Sequence, residues 1–98
     1  MTDGLKPHHK KLIIDIISQN NHVEEITLFG SRAIHTFKQN SDIDLVLSGS
    51  NVNLSDIATI KAALEQTSLP YQVDLLIKHK IDNKNLLLHI ANFGITWR

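Results

Sequence analysis

The chain has 98 residues, of which 42% are hydrophobic, and its 10 basic and 10 acidic residues cancel. This length predicts a single domain over residues 1–98. The balanced charge creates no overall field that would draw the chain to nucleic acid or to a membrane, so we expect no membrane partner and have no indication of a nucleic-acid partner. The absence of cysteine excludes disulfide bonds and thiolate metal sites. The polar N-terminus lacks the apolar segment of a signal peptide, and no 18 apolar residues run together, so we expect a cytoplasmic protein.

The first half of the chain predicts a helix followed by two strands. In residues 8–20, HHKKLIIDIISQN, four apolar residues share one helical face: Leu12, Ile13, Ile16 and Ile17. Pro7 is suited to the first turn of this helix. The segments EEITLFG and DIDLVLS are rich in β-branched and aromatic residues, which is typical of strands. Between them, SRAIHTF predicts a short helix, followed by a loop over residues 38–41.

The second half predicts two helices, a third strand and a short fourth one. The segment LSDIATIKAALEQT, starting from Asn53 or Ser55, has a helical stripe expected to be buried: Ile57, Ile60, Ala63 and Leu64. LPYQVDLLI predicts the third strand, and ITWR a short fourth. Asp82 is expected to cap the last helix, NKNLLLHIANF, and Gly94 to end it. The order predicts an α/β fold, a small three- to four-stranded mixed sheet with helices packed on it.

Two aspartates, Asp42 and Asp44, lie in the second predicted strand. Residues two apart on a strand point to the same face, with about 6.6 Å of rise between them. Aspartate is depleted in strands, and two like charges on one face repel unless a cation lies between them. Aspartate oxygens are the ligands that Mg²⁺ prefers. The pair therefore indicates a metal site, and a solvated edge strand is the alternative interpretation.

A third carboxylate, Asp74, interrupts the otherwise apolar strand YQVDLLI. A charge in such a strand is expected at a strand end facing water, or bound to a partner. If this strand neighbours DIDLVL, three carboxylates converge on one face of the sheet. Three such ligands can hold two metal ions about 3.5–4 Å apart.

Gly30 and Ser31 lie where the first predicted strand passes into the predicted short helix. Glycine lets a ligand approach the backbone closely, a helix N-terminus presents N–H groups to an anion, and Ser31 adds a hydroxyl donor. A plain helix N-cap is the alternative. A phosphate cradle beside a two-metal carboxylate cluster indicates phosphoryl or nucleotidyl transfer from a metal-bound triphosphate.

These motifs together, GSRA, then DIDL about ten residues on, then VDLL after a helix, resemble the DNA polymerase beta-type nucleotidyltransferase superfamily. Within it, the small size is similar to that of the minimal nucleotidyltransferases, or MNT domains. The resemblance covers residues 24–77 and implies a polymerase beta-like nucleotidyltransferase fold. The chain departs from the family at Ile34 and His35, because the family often has glycine soon after GSRA.

The resemblance also implies roles for the residues of these motifs. Two Mg²⁺ ions, or Mn²⁺ in their place, would be held by three carboxylates: Asp42, Asp44 and Asp74. Asp74 would bind the ion that activates the acceptor hydroxyl and would accept its proton. Gly30 and Ser31 would hold the β- and γ-phosphates of the nucleotide. Arg32 is a candidate phosphate contact, with a helix-surface arginine as the alternative.

Two functions are compatible with these residues. The first is an enzyme that transfers AMP from ATP to a hydroxyl, which the resemblance implies is a tyrosine of a HEPN-type partner in a toxin–antitoxin pair. The second is a non-catalytic antitoxin that neutralises a helical partner by binding it. A pure binding module has no physical need for repelling carboxylates, which favours the enzyme. A D-x-D glycosyltransferase normally requires a larger nucleotide-sugar domain than 98 residues supply.

Association is the last expectation from the sequence. Larger transferases use a second domain to enclose the triphosphate and the acceptor, and none is present in these 98 residues. We therefore expect the helical partner or a homodimer to complete the cleft, with the apolar segment around Phe93 and Trp97 contributing to the contact.

Overall fold

The structure is a computed structural model and describes residues 4–38 and 40–98. The helices in this part of the chain are α1 (Pro7–Ser18), α2 (Leu54–Glu65) and α3 (Lys84–Phe93). The strands are β1 (Glu25–Phe29), β2 (Ile43–Ser48), β3 (Val73–Ile77) and β4 (Ile95–Thr96). Short 3₁₀ turns follow β1 and β3, at Gly30–Arg32 and Lys78–Lys80. None of the described helices is both long enough and apolar enough to span a bilayer.

The four strands form one mixed sheet in the order β3-β2-β1-β4. β1 is antiparallel to β2 and to β4, and β2 is parallel to β3. A parallel pair needs a crossover connection, and α2 supplies it between β2 and β3. The predicted α/β fold is confirmed, and so is the short fourth strand, because Ile95 and Thr96 pair with β1.

The two faces of the sheet carry different helices. Alternate residues of β2 pack with α1 and α2 in the larger core: Ile43, Leu45 and Leu47. Val46 points to the opposite face, where it packs with Phe29 of β1 and Ile90 of α3. Asp44 lies between Ile43 and Leu45 in the chain, so strand alternation places it on the α3 side of the sheet.

The caps of the helices agree with the sequence except in one case. Asn53 caps α2 with its side chain, and Gly94 follows the last residue of α3. The predicted cap of α3 by Asp82 is wrong, because the side-chain oxygen of Asn83 accepts the N–H of Leu86 at 3.1 Å. Aspartate and asparagine are about equally good N-caps, so propensity could not choose between neighbours.

The predicted helix at residues 31–37 is also wrong. Only one 3₁₀ turn forms there, and His35 then has a φ of 62°, which is incompatible with a continuing right-handed helix. Gln39, in the predicted loop, lies outside the described residues. No long helix therefore supports the backbone after β1, and its position depends on contacts with other parts of the fold.

Candidate active site

Asp44 and Asp74 lie side by side on neighbouring parallel strands. The register pairs Asp44 of β2 with Asp74 of β3 on one side and with Phe29, the last residue of β1, on the other. Both aspartates are partly exposed. Asp42 is exposed and precedes Asp44 by two residues. The site therefore lies at the end of the sheet where β1 finishes and where β2 and β3 begin.

The electrostatics of this pair are unfavourable for two ionised carboxylates. Burial raises the pKa of the Asp44 carboxyl above its usual value. The neighbouring charges of Asp74 and Asp42, and a hydrogen-bonding contact with Asp74, raise that pKa further. In the folded chain, Asp44 therefore keeps its proton to a higher pH than in the unfolded chain.

Asp44→Asn should stabilise the metal-free protein at neutral pH. The raised pKa means that the folded state binds more protons than the unfolded state between the ordinary aspartate pKa and the raised one, so stability falls as pH rises through that window. Asparagine does not ionise, so the variant avoids this loss of stability. Thermal melting from acid to neutral pH should show the wild type falling below Asp44→Asn as pH rises, whereas exposed Asp82→Asn should follow the wild type. Parallel curves for wild type and Asp44→Asn would contradict this.

Gly30 brings the backbone directly against the Asp44 carboxylate. Its φ is 77°, in the left-handed region, and a Cβ at this position would collide with Asp44 Oδ2. Its carbonyl accepts the N–H groups of Ala33 at 3.1 Å and Ile34 at 3.4 Å, which closes the turn. Ser31 follows and is partly exposed. Glycine is thus required here both by its φ and by the space that the carboxylate occupies.

His89 of α3 also contacts this turn, and the sequence did not indicate it. The Gly30 N–H donates to His89 Nε2 at 2.9 Å, and the imidazole packs near the rings of Phe29 and Phe93, with centroids 6.4 and 5.5 Å away. Its signal in the sequence is weak: His89 precedes the buried Ile90 on the side of α3 that faces the sheet. The Gly30 N–H is therefore engaged within the protein rather than pointing to solvent.

Arg32 does not extend into solvent near the carboxylates. Its side chain is 1% exposed, so the alternative of a helix-surface arginine is wrong. Its Nη2 and Nε donate to the carbonyl of Ser41 at 2.8 and 3.3 Å, and its guanidinium lies over the rings of Phe37 and Tyr71 at 5.0 and 4.9 Å. These contacts fasten the loop after β1 to the approach to β3. The arrangement favours a structural role for Arg32 over a phosphate contact.

The donor set suits a hard divalent cation. Asp44 and Asp74 offer carboxylate oxygens from adjacent strands, and a cation between them would offset the repulsion that raises the pKa of Asp44. Within residues 4–38 and 40–98, no three His, Asp or Glu side chains converge closely enough to hold a metal ion as they stand. The structure thus brings two carboxylates together, with Asp42 beside them in the chain.

Comparison with known protein families gives one extensive match. Residues 11–96 match the family described as Polymerase beta, Nucleotidyltransferase. The match includes every residue of the site described above. A comparison with curated proteins gives no significant match.

Three solved structures illustrate the similarity in fold. A chain of a toxin–antitoxin crystal structure with AMP-PNP is 24% identical, with a TM-score of 0.73 over 89% of this chain and 70% of that chain. A chain of the MntA-HepT toxin–antitoxin is 20% identical, with a TM-score of 0.63 over 93% and 70%. A chain from tri-AMPylated Shewanella oneidensis HEPN toxin in complex with MNT antitoxin is 18% identical, with a TM-score of 0.70 over 94% and 71%. At these identities the similarity is one of fold.

Proposed function

This chain belongs to the polymerase beta nucleotidyltransferase family, and on that premise we propose that it transfers AMP from ATP to a hydroxyl group, with Mg²⁺. The observation that carries the proposal is the pairing of Asp44 with Asp74 near the ends of their strands, where Gly30 lies against the Asp44 carboxylate. In the transfer, the acceptor oxygen forms a bond to the α-phosphorus, and the bond from that phosphorus to the β-phosphate oxygen breaks. Pyrophosphate leaves, and the hydroxyl proton passes to a carboxylate.

The turn after β1 is the proposed site of the β- and γ-phosphates. Gly30 has no side chain, so phosphate oxygens can approach its backbone closely. Its N–H is engaged by His89, so its contribution is space rather than a donated hydrogen bond. Ser31, partly exposed and next in the chain, supplies the hydroxyl donor. The single 3₁₀ turn leaves little helix dipole to assist, which increases the importance of the cations.

The carboxylates are the proposed metal ligands. Asp42 and Asp44 would bind two Mg²⁺ ions, or Mn²⁺ in their place, and Asp74 one of them. The ions, when bound, stabilise the charge that develops on the α-phosphate and on the leaving pyrophosphate. Asp74 would accept the proton of the acceptor hydroxyl, and its pairing with Asp44 on neighbouring strands supports this role.

Metal binding should stabilise the fold. An ion that binds only the native state adds RT ln(1 + [L]/Kd), about 1.4 kcal/mol at ten times its Kd, which is several degrees of melting temperature for a domain of this size. Millimolar Mg²⁺ or Mn²⁺ should therefore raise the melting temperature of the wild type. The rise should be much smaller in the double variant Asp42→Asn/Asp44→Asn, with KCl of matched ionic strength as the control. Equal rises in both proteins would exclude a metal site at these residues.

A HEPN-type helical protein is the proposed partner and the source of the acceptor tyrosine. The similar structures include toxin–antitoxin complexes, one with an AMPylated HEPN toxin. This chain itself exposes an apolar surface on α3, lined by Leu87, Leu88 and Ala91, and Phe93 is exposed near the end of the same helix. Leu88 and Phe93 are 59% and 53% exposed, so both side chains are available for contact with a partner. A homodimer through the same surface is the alternative assembly.

A non-catalytic antitoxin is the second candidate function. The observation that favours it is that no three carboxylates converge in the described part of the chain.

The enzyme and the non-catalytic antitoxin differ in whether AMP is transferred to the partner. Incubating the partner complex with ATP labelled at the α-phosphate should move label to the partner, whereas γ-labelled ATP should not. Neutralisation of the partner without any transfer of label would favour binding alone.

A further inference from the structure

His89 connects α3 to the turn that follows β1. A backbone N–H can only donate a hydrogen bond, so His89 Nε2, 2.9 Å from the Gly30 nitrogen, must be the unprotonated acceptor. With Nε2 as the acceptor, Nδ1 is the ring nitrogen left to carry a proton. The rings of Phe29 and Phe93 lie beside it and restrict its orientation. This is a directed contact in a partly buried position, not a solvated histidine on a helix surface.

The Gly30 turn has few other restraints. The turn is a single 3₁₀ turn, and Gly30 adopts a φ of 77°. An unrestrained glycine would also populate many other backbone conformations, so this one has to be held in place. Within residues 4–38 and 40–98, its carbonyl accepts hydrogen bonds from two residues that follow closely, Ala33 and Ile34. The bond from His89 is the described hydrogen bond that joins Gly30 to a distant element of the fold.

We propose that His89 is a positioning residue for nucleotide binding. By accepting the Gly30 N–H, it holds the turn in the conformation in which Gly30 lies against Asp44 and Ser31 follows at the open edge of the sheet. His89 acts through Gly30 and does not touch the nucleotide. The inference rests on the proposed function and adds to it a residue of α3 that sets the affinity for the triphosphate.

Three substitutions separate the hydrogen bond from simple packing. His89→Gln places a carbonyl oxygen the same number of bonds from the backbone as Nε2 and can accept the Gly30 N–H. His89→Asn is one bond too short, and His89→Leu fills the space without an acceptor. We expect the KM for Mg-ATP to rise about five- to tenfold in the Leu and Asn variants, with kcat within about threefold of wild type. The Gln variant should behave as wild type.

His79→Leu is the matched control. His79 Nε2 bonds to the carbonyl of Val52 at 3.0 Å, so this variant also removes a bond from a histidine to the backbone. It should leave the KM for Mg-ATP unchanged. If it raises the KM as much as His89→Leu, the effect is one of general stability and the proposal is overturned. The same holds if His89→Gln is as impaired as His89→Leu.

A second measurement does not depend on catalysis. In the folded protein, hydrogen exchange of the Gly30 amide should be slow in wild type and His89→Gln and fast in His89→Leu, while the amides of β2 and β3 exchange alike in all three. The Kd for Mg-ATP should follow the same order. Fast exchange in wild type, or an unchanged Kd in His89→Leu, would overturn the role of His89 alone. If the wild type binds Mg-ATP without transferring AMP, only the proposed transfer fails. If it binds no Mg-ATP, both proposals fail.

Discussion

Asp74→Asn should reduce AMP transfer about 10²- to 10³-fold, with little change in folding or partner binding. Asparagine keeps the shape of aspartate, and the position is partly exposed near the start of β3, so the loss of stability should be small. The substitution removes one charge from the proposed metal-binding pair and removes the proposed base. A loss of about 3–4 kcal/mol of transition-state stabilisation corresponds to this range, because each 1.36 kcal/mol is tenfold in rate.

The measurement is the initial rate of AMP transfer to the partner, with a pull-down of the partner in parallel. Asp82→Asn is the control, because it also replaces an aspartate but lies exposed outside the site, beside the cap of α3. Its rate should equal that of the wild type. Transfer by Asp74→Asn at the wild-type rate would show that Asp74 is neither a metal ligand nor a base in the reaction.

Gly30→Ala should lower transfer about 10²-fold and destabilise the fold only moderately. A residue with a Cβ at a φ of 77° costs about 1–2 kcal/mol. The new methyl group would occupy the position of Asp44 Oδ2, so the carboxylate must rotate away. A displacement of about 1 Å at a reacting centre can cost about 10²-fold in rate.

Gly4→Ala is the matched control for this substitution. Gly4 has a φ of 79°, close to that of Gly30, so the backbone cost of alanine should be similar. Its Cβ would meet the ring of Phe37 and come within 3.0 Å of Arg32 Nη1, but it would not meet a carboxylate. Melting temperatures of the two variants should therefore fall by similar amounts, and transfer should fall mainly in Gly30→Ala. Equal losses of transfer would show that contact with Asp44 is not the cause.

Strand alternation was sufficient to predict which face of the sheet Asp44 occupies. The two-residue period places Ile43 and Leu45 in one core and Asp44 on the opposite face, and the structure follows it. The register between strands cannot be derived from this period. The pairing of Asp44 with Asp74 depends on how the crossover through α2 returns to β3. Alternation along each strand therefore determines the face of the sheet on which each carboxylate lies. The tertiary fold brings the two carboxylates side by side.

The features that could not be predicted depend on partners far apart in the chain. Arg32 is buried because the Ser41 carbonyl and the rings of Phe37 and Tyr71 compensate for the loss of water around its charge. Tyr71 lies almost forty positions away from it. His89 is further still from Gly30, and its function as an acceptor follows from the packing of α3 on β1. Neither contact has a local pattern that distinguishes it from a solvated side chain.

The most direct test of nucleotide transfer is the intact mass of the partner protein after incubation with this chain, ATP and Mg²⁺. We expect the mass of the partner to increase by whole AMP units with wild type, with one pyrophosphate released for each unit, and to stay unchanged with Asp42→Asn/Asp44→Asn. The atoms gained identify the bond that broke, because cleavage at the γ-phosphate would add a phosphate instead. A partner that gains phosphate, or that gains AMP equally with the double variant, would contradict transfer of a nucleotide by these carboxylates.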